Sequence, residues 1–232
     1  MTSPYPPPRR HLSSEAASYV RDLIISGRLQ QGEFIRLEPI AHALSTSSTP
    51  VREGLLTLRA EGFVRLEPRR GFVVSNITRD DILDVYTVQA FLAGELAARA
   101  TLALSETGLA TLRALQADLV AAVESSDTEA LESLNYAFHR VINRTADSPK
   151  LTWFMGLATR YAPRRFFATI SGWPSASVKD HEAILTAFQE RDPRAARGAM
   201  MRHIQHAGEL LAQHLRPDTA PDPDSREGKA GL

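Results

Sequence analysis

Ser45-Thr46-Ser47-Ser48-Thr49-Pro50-Val51-Arg52-Glu53-Gly54-Leu55 is the stretch whose reading decides the fold. It comes after a short amphipathic run, Leu37-Glu38-Pro39-Ile40-Ala41-His42-Ala43-Leu44, and opens a second helix expected to reach about Glu61. Two short helices joined by small polar residues outline a helix-turn-helix, whose second helix enters the DNA major groove by its N-terminal end. Thr49 is placed to cap that helix, with Pro50 at its first position, where a missing N–H costs nothing. Val51, Leu55 and Leu58 recur at helical spacing and point to a core, which puts Arg52 on the outer face. Gly62 is placed to end the helix. Phe63-Val64-Arg65-Leu66-Glu67 and Gly71-Phe72-Val73-Val74 then read as two strands around a turn carrying Arg69 and Arg70. A basic hairpin directly after such a helix is a wing, and its tip suits phosphate or minor-groove contact.

The rest of the chain bounds the answer. It has 232 residues, a formal net charge of zero and no cysteine. Disulfides, thiolate metal sites and cysteine nucleophiles are therefore excluded. Residues 1–75 hold ten Arg against seven Asp or Glu, so attraction to nucleic acid must come from a local patch rather than from the whole molecule. No stretch has the apolar length of a membrane span and the start lacks a secretory apolar core, which predicts a cytoplasmic protein.

Residues 1–11, with Pro4, Pro6, Pro7, Pro8, Arg9 and Arg10, read as a flexible arm. A first helix is expected over about 12–26, and Phe34-Ile35-Arg36-Leu37 reads as an extended link able to pair beside the wing. The winged helix-turn-helix thus occupies 12–76. Thr78 is a good cap for the next helix, with Asp80 and Asp81 in its first turn. From there only helical periodicity appears, with helices expected over 79–103, 106–125, 127–146, 149–170, 175–190 and 193–215. The fold class is mainly α, the winged unit leading over 77–216 into an all-α antiparallel bundle. The tail, 217–232, has a disordered composition.

One pattern in the bundle exceeds what packing requires. His139 lies beside the stripe Leu131, Leu134, Phe138 and Ile142, with Asn135 one turn before it. His181 shares a face with Ile184, Leu185 and Phe188, and His203 sits among Ala199, Met200 and Ala207. Three helices each aim one imidazole inward, and a buried imidazole needs a partner, either a core hydrogen bond or a metal. His206 reads as solvated on the polar edge, and His11, His42 and His214 have no comparable setting.

Residues 13–76 resemble the winged domain of the GntR family. The landmarks are the Gly27 to Gly32 spacing, Leu44, Thr-Pro-Val-Arg-Glu at 49–53, Ala60-Glu61-Gly62 and Arg70-Gly71. The helical half resembles the FCD domain of the FadR subfamily, through Phe138-His139, Asp180-His181-Glu182-Ala183-Ile184 and Met201-Arg202-His203. The first resemblance implies DNA contacts at Arg36, Ser47, Ser48, Thr49, Arg52, Arg69, Arg70 and Gly71. Ser48 stands where the family usually has arginine, which implies an altered operator. The second resemblance implies a divalent metal (zinc, nickel or manganese) held by one aspartate and three histidines. Those positions are Asn135, His139, His181 and His203 here, with Asn135 in the aspartate's place. An Asn carbonyl ligates without negative charge, so a weaker metal site is expected. The family's effector arginine falls at Gln89; Arg164 and Arg165 read first as a solvated pair and are otherwise the available positive charges for an organic-acid effector, and an effector with fewer carboxylates, or none, is the alternative.

The expected protein is a homodimeric, ligand-responsive regulator, more repressor than activator, bound to a palindromic double-stranded DNA operator. Two alternatives are a metal-dependent enzyme built on the histidines and an architectural DNA binder without a ligand. Against the enzyme, no inward carboxylate is available as a general base.

Overall fold

The computed structural model describes residues 9–161 and 167–214. The expected arm at 1–8, Arg164 and Arg165, and the tail from 217 lie outside the described residues. The first helix, α1 (Arg9–Ile25), begins inside the span expected to be an arm. The proline run ends at Pro8, and Arg9 and Arg10 are good helix formers, so nothing delays nucleation.

α2 (Leu37–Ala43) and α3 (Ser48–Ala60) form the helix-turn-helix. The turn is fixed from the α2 side. Ser45 sits at φ 50°, its N–H donates to His42 O, and the Thr46 N–H donates to Ala41 O at 2.9 Å. This double closure caps α2 with a serine in the left-handed position that glycine usually takes. It leaves only Thr46 and Ser47 as linker, so α3 starts earlier than the sequence suggests. Ser47 is its N-cap, without a side-chain cap bond, and Pro50 is the third helical residue rather than the first. Pro50 is still tolerated there, because the first turn of a helix has no internal partner for its N–H groups. α3 ends with Gly62 at φ 83° and the Phe63 N–H on Leu58 O at 2.9 Å.

β1 (Val64–Glu67) and β2 (Gly71–Val74) pair antiparallel, with Val64 opposite Val74 and Glu67 opposite Gly71. The Phe34 link bridges to Val73, and the Ile35 N–H donates to Phe72 O at 2.8 Å, so the link pairs beside the wing as expected. Ala16, Ala17 and Val20 of α1 pack with Val51, Leu55 and Leu58 of α3 and with Phe63, Phe72 and Val74 in one core. Gly54 sets the spacing of α1 and α3, because a Cβ there would lie 2.8 Å from Ser13 O and 2.9 Å from Ala17 N. Backbone atoms cannot step aside as a side-chain tip can. Gly54→Ala is therefore expected to destabilise the fold by about 1–3 kcal/mol, an overpacking cost readable as a lower midpoint in chemical denaturation.

The helical half contains α4 (Arg79–Ala103), α5 (Glu106–Glu124), α6 (Thr128–Thr145), α7 (Pro149–Ala158), α8 (Trp173–Gln189) and α9 (Pro193–His214). α4 opens on a capping box in which Thr78 Oγ1 accepts from the Asp81 N–H while Asp81 Oδ2 accepts from the Thr78 N–H. It is the central helix, packed along α9 and against α6 and α7, while α8 bridges α9 and α5. The single helix expected over 149–170 is instead α7, a 3-10 turn at Thr159–Tyr161 and a second one at Phe167–Thr169. A helix continued through position 163 would meet a proline, which has no N–H to give and whose ring would crowd the carbonyl four residues earlier, so the sequence itself opposes one continuous helix. α8 also begins two residues before its expected start, because Trp173 is buried as its first residue and Pro174 suits the first turn. Among the described residues, no helix is long and apolar enough to cross a membrane.

Candidate functional site

Two places in this fold gather polar side chains that packing does not need. The first is the outer face of α3 and the wing. Arg36, Ser47, Thr49, Arg52, Arg69 and Arg70 are exposed, and Ser48 and Gly71 are half-buried. Among the described residues Arg36, Arg52, Arg69 and Arg70 make no ion pair. Arg65, by contrast, is tied to Glu67 at 2.9 Å, and Arg21 is paired with Glu61 in the core. Arg69 sits at the hairpin tip with φ 63°, a left-handed position unusual for arginine. Four guanidiniums thus make no ion pair among the described residues, one at the start of α2, one on α3 and two at the wing tip, while the aligned peptide dipoles at the N-terminus of α3 favour an anion.

The second place lies between α6, α8 and α9, which bring His139, His181 and His203 together. One ring nitrogen from each falls within 4.8 Å of the others. His139 Nε2 and His203 Nε2 are 3.1 Å apart. The His181 ring stacks on Phe138, with centroids 4.0 Å apart and planes 8° from parallel. His181 is wholly buried, His203 nearly so, and His139 partly.

The protonation of His181 is set by a residue on α5. Gln116 Nε2 donates to Val178 O at 3.0 Å and to Glu182 Oε1 at 3.1 Å, which fixes the orientation of its amide. Gln116 Oε1, 3.1 Å from His181 Nδ1, must then accept, so Nδ1 carries the hydrogen. The lone pair of His181 is left on Nε2, a buried atom with no hydrogen-bond partner among the described residues. Burial, then the neighbouring His203, pushes His139 down to about 3, and burial followed by His203 and His139 pushes His181 well below its ordinary value. Both rings are therefore neutral at physiological pH, with lone pairs available to an electrophile.

The remaining expected site residues fall in different places. Asn135 is one turn before His139, and its Oδ1 accepts from the Ser177 hydroxyl at 3.5 Å, one turn before His181. Gln89 is buried on α4 with its Nε2 on Ala158 O at 3.2 Å, at the seam with α7. His206, expected to be merely solvated, is exposed but holds Asp180 Oδ2 with its Nδ1 at 3.1 Å. The carboxylate on the neighbouring helix lies within reach of its ring, which α9 periodicity alone does not reveal.

Residues missed by sequence reasoning are Gln116, Asp180 and Tyr161. Gln116 had a signal, an amide in line with Leu109, Leu112 and Leu119 on a buried face. Tyr161, in the 3-10 turn after α7, places its ring 5.5 Å from Phe63, joining the helical half to the start of the wing. Its hydroxyl is pushed up by burial and by Glu61, with Arg21 opposing.

Residues 84–206 match the FCD domain, and residues 12–74 match the bacterial regulatory proteins of the gntR family. The chain is 25% identical over 201 residues to an HTH-type transcriptional regulator of Mycobacterium tuberculosis, covering 87% of this chain and 80% of that one. It is 27% identical over 212 residues to the probable D-xylose utilization operon transcriptional repressor of Paenarthrobacter nicotinovorans, covering 84% and 88%. Among solved structures it superposes on Escherichia coli McbR/YncC with a TM-score of 0.67 at 22% identity, over 92% of this chain and 99% of that one. At that identity the structural likeness speaks for the fold alone.

Proposed function

Belonging to the gntR family of bacterial regulatory proteins with an FCD domain, this chain is a DNA-binding transcriptional regulator, and we propose that it works as a dimeric repressor. The relatives are regulators and not enzymes, which sets aside the reading of the histidines as a catalytic centre. In this proposal residues 12–76 read DNA in the cytoplasm, and residues 77–216 sense a metabolite and form most of the dimer contact. Two copies place α3 in successive major grooves of a palindromic operator. Arg52 reaches a base edge or phosphate, Ser47, Ser48 and Thr49 approach the backbone, and Arg69 and Arg70 hold the flanking phosphates or minor groove. The observation that carries this reading is the set of four exposed arginines, at the start of α2, on α3 and on the wing tip, none of them in an ion pair among the described residues.

The histidine centre is proposed as the site of a divalent cation, held by His139, His181 and His203 with Asn135 as a neutral oxygen donor. The donor set fits. Two imidazole nitrogens on one tetrahedral zinc stand ~3.3 Å apart, and His139 and His203 offer theirs at 3.1 Å. The buried, unpartnered Nε2 of His181 lacks only an electrophile. A bound zinc, nickel or manganese ion supplies positive charge for the carboxylate of an organic-acid effector, with Gln89 and Arg164 as further contacts. That effector shifts DNA affinity only by the difference in its affinity for the two inter-domain arrangements.

The test is selection of genomic fragments by the purified protein at near-physiological salt, with titration of the retained sites afterwards. A few enriched palindromic sites are expected, whereas a flat profile rejects specific regulation in favour of architectural binding. Arg69→Ala is expected to weaken all sites alike and to lower the salt slope by about one phosphate contact. Arg52→Ala is expected to cost ~1–3 kcal/mol and to relax specificity if it reads a base. Wild-type affinity in both variants removes the groove assignment.

A further inference from the structure

Asp180 stands behind the histidine centre rather than in it. Its side chain is 15% exposed, and Oδ2 lies 3.1 Å from Nδ1 of His206 and 3.6 Å from Nδ1 of His203. At that distance the His203 contact is just beyond a formed hydrogen bond, and His203 Nδ1 has no hydrogen-bond partner among the described residues. The opposite nitrogen of the same ring, His203 Nε2, faces His139 Nε2 at 3.1 Å. The carboxylate thus touches the back of an imidazole whose front points into the cluster. His181 is backed differently, by the neutral carbonyl of Gln116.

A carboxylate oxygen accepts more than one hydrogen, so His206 on the surface and His203 inside are not exclusive partners. An imidazole that donates its rear N–H to a carboxylate is a more basic ligand at the front, and its tautomer is fixed.

We propose that Asp180 is a positioning residue for the metal centre, holding His203 with Nδ1 protonated and Nε2 free. It also brings the centre, through that ring, the negative charge that Asn135 cannot give. This rests on the reading of the three histidines as metal ligands.

The experiment is zinc affinity of the full chain by chelator competition, together with the absorption spectrum of the cobalt-substituted protein. Asp180→Asn is expected to weaken zinc by roughly 10- to 100-fold while keeping one ion per chain, and to shift the cobalt bands. Asp180→Glu is expected to recover most of the affinity. His206→Ala, which touches the carboxylate from the solvent side, is expected to leave affinity essentially unchanged. Asp180→Asn with wild-type affinity and spectrum, beside a His203→Ala that binds weakly, overturns the role of Asp180 and leaves the metal reading standing. His203→Ala with wild-type affinity removes the metal reading itself, and the role of Asp180 with it. An Asp180→Glu as weak as Asp180→Asn, with a lowered melting point in both metal-free variants, marks a structural role and also overturns the proposal.

Discussion

His181→Ala is expected to reduce zinc, nickel or manganese affinity by more than the roughly 10- to 100-fold that a change behind the ligands costs. His139→Ala and His203→Ala are expected to do the same. The reasoning starts from His181, whose Nδ1 is committed to Gln116 and whose Nε2 is buried without a partner. A buried polar atom left unsatisfied costs about 1–3 kcal/mol, and a cation at that point removes the cost while gaining a ligand bond. Removing any one imidazole leaves two nitrogens and a neutral amide oxygen, too few and too weakly charged for tight binding. The readout is thermal: a cation present at a hundred times its Kd stabilises the wild-type protein by about 2.7 kcal/mol, and the alanine variants lose that rise. Asn135→Asp, which adds a negative charge one turn from His139, is expected to move affinity the other way. If no divalent cation raises the wild-type melting point, and Asn135→Asp does not create such a response, the histidines form a metal-free cluster.

Much of this molecule is legible from sequence because it is encoded locally. The two-helix outline, the wing and the capping box at Thr78 each depend on residues within a few positions of one another. The errors have local causes too. Ser45 takes a left-handed φ without being glycine, so the sequence suggests a cap for α3 at Thr49 instead of Ser47. Pro163 is easily overlooked inside a pattern that otherwise looks helical. The three histidines are legible because each lies on or beside an apolar stripe, where polarity is conspicuous. What backs them is not. Gln116 meets His181 across 65 positions, and His206 meets Asp180 across 26, on pairs of helices whose relative rotation no single periodicity fixes. The contact of Tyr161 with Phe63 is hidden for the same reason, since it joins two halves that sequence reads separately.

The metal-free protein is expected to lose stability steadily as pH falls below about 6.5. An exposed histidine in the unfolded chain has a pKa of about 6.5. In the fold His139 is pushed down to about 3 and His181 well below its ordinary value. Between the folded and unfolded values the unfolded chain therefore binds more protons, and stability rises with pH across that window. It is fully present above the unfolded value and is drained as pH falls toward the folded one. Each histidine contributes a slope that approaches roughly 1.4 kcal/mol per pH unit only once the unfolded ring is protonated, so two of them remove about 2 kcal/mol between pH 6.5 and 5.5. That is a large share of the 5–15 kcal/mol that holds a typical domain together, and urea midpoints at pH 7.5, 6.5 and 5.5 resolve it readily. Asp180 does not confuse the measurement. Its carboxyl is held below the ordinary value, so its contribution is intact above the unfolded carboxylate value and is lost only as pH falls through the lower folded one. Zinc should steepen the dependence, because a protonated imidazole cannot ligate and protons expel the ion as they fill the rings. His139→Gln and His181→Gln keep a polar side chain of similar reach without a group that titrates, and each should flatten the slope of the metal-free protein. A wild-type midpoint that holds constant from pH 7.5 to 5.5 means that the rings already share protons with solvent. Burial then gives these two rings no advantage as neutral donors over exposed imidazoles.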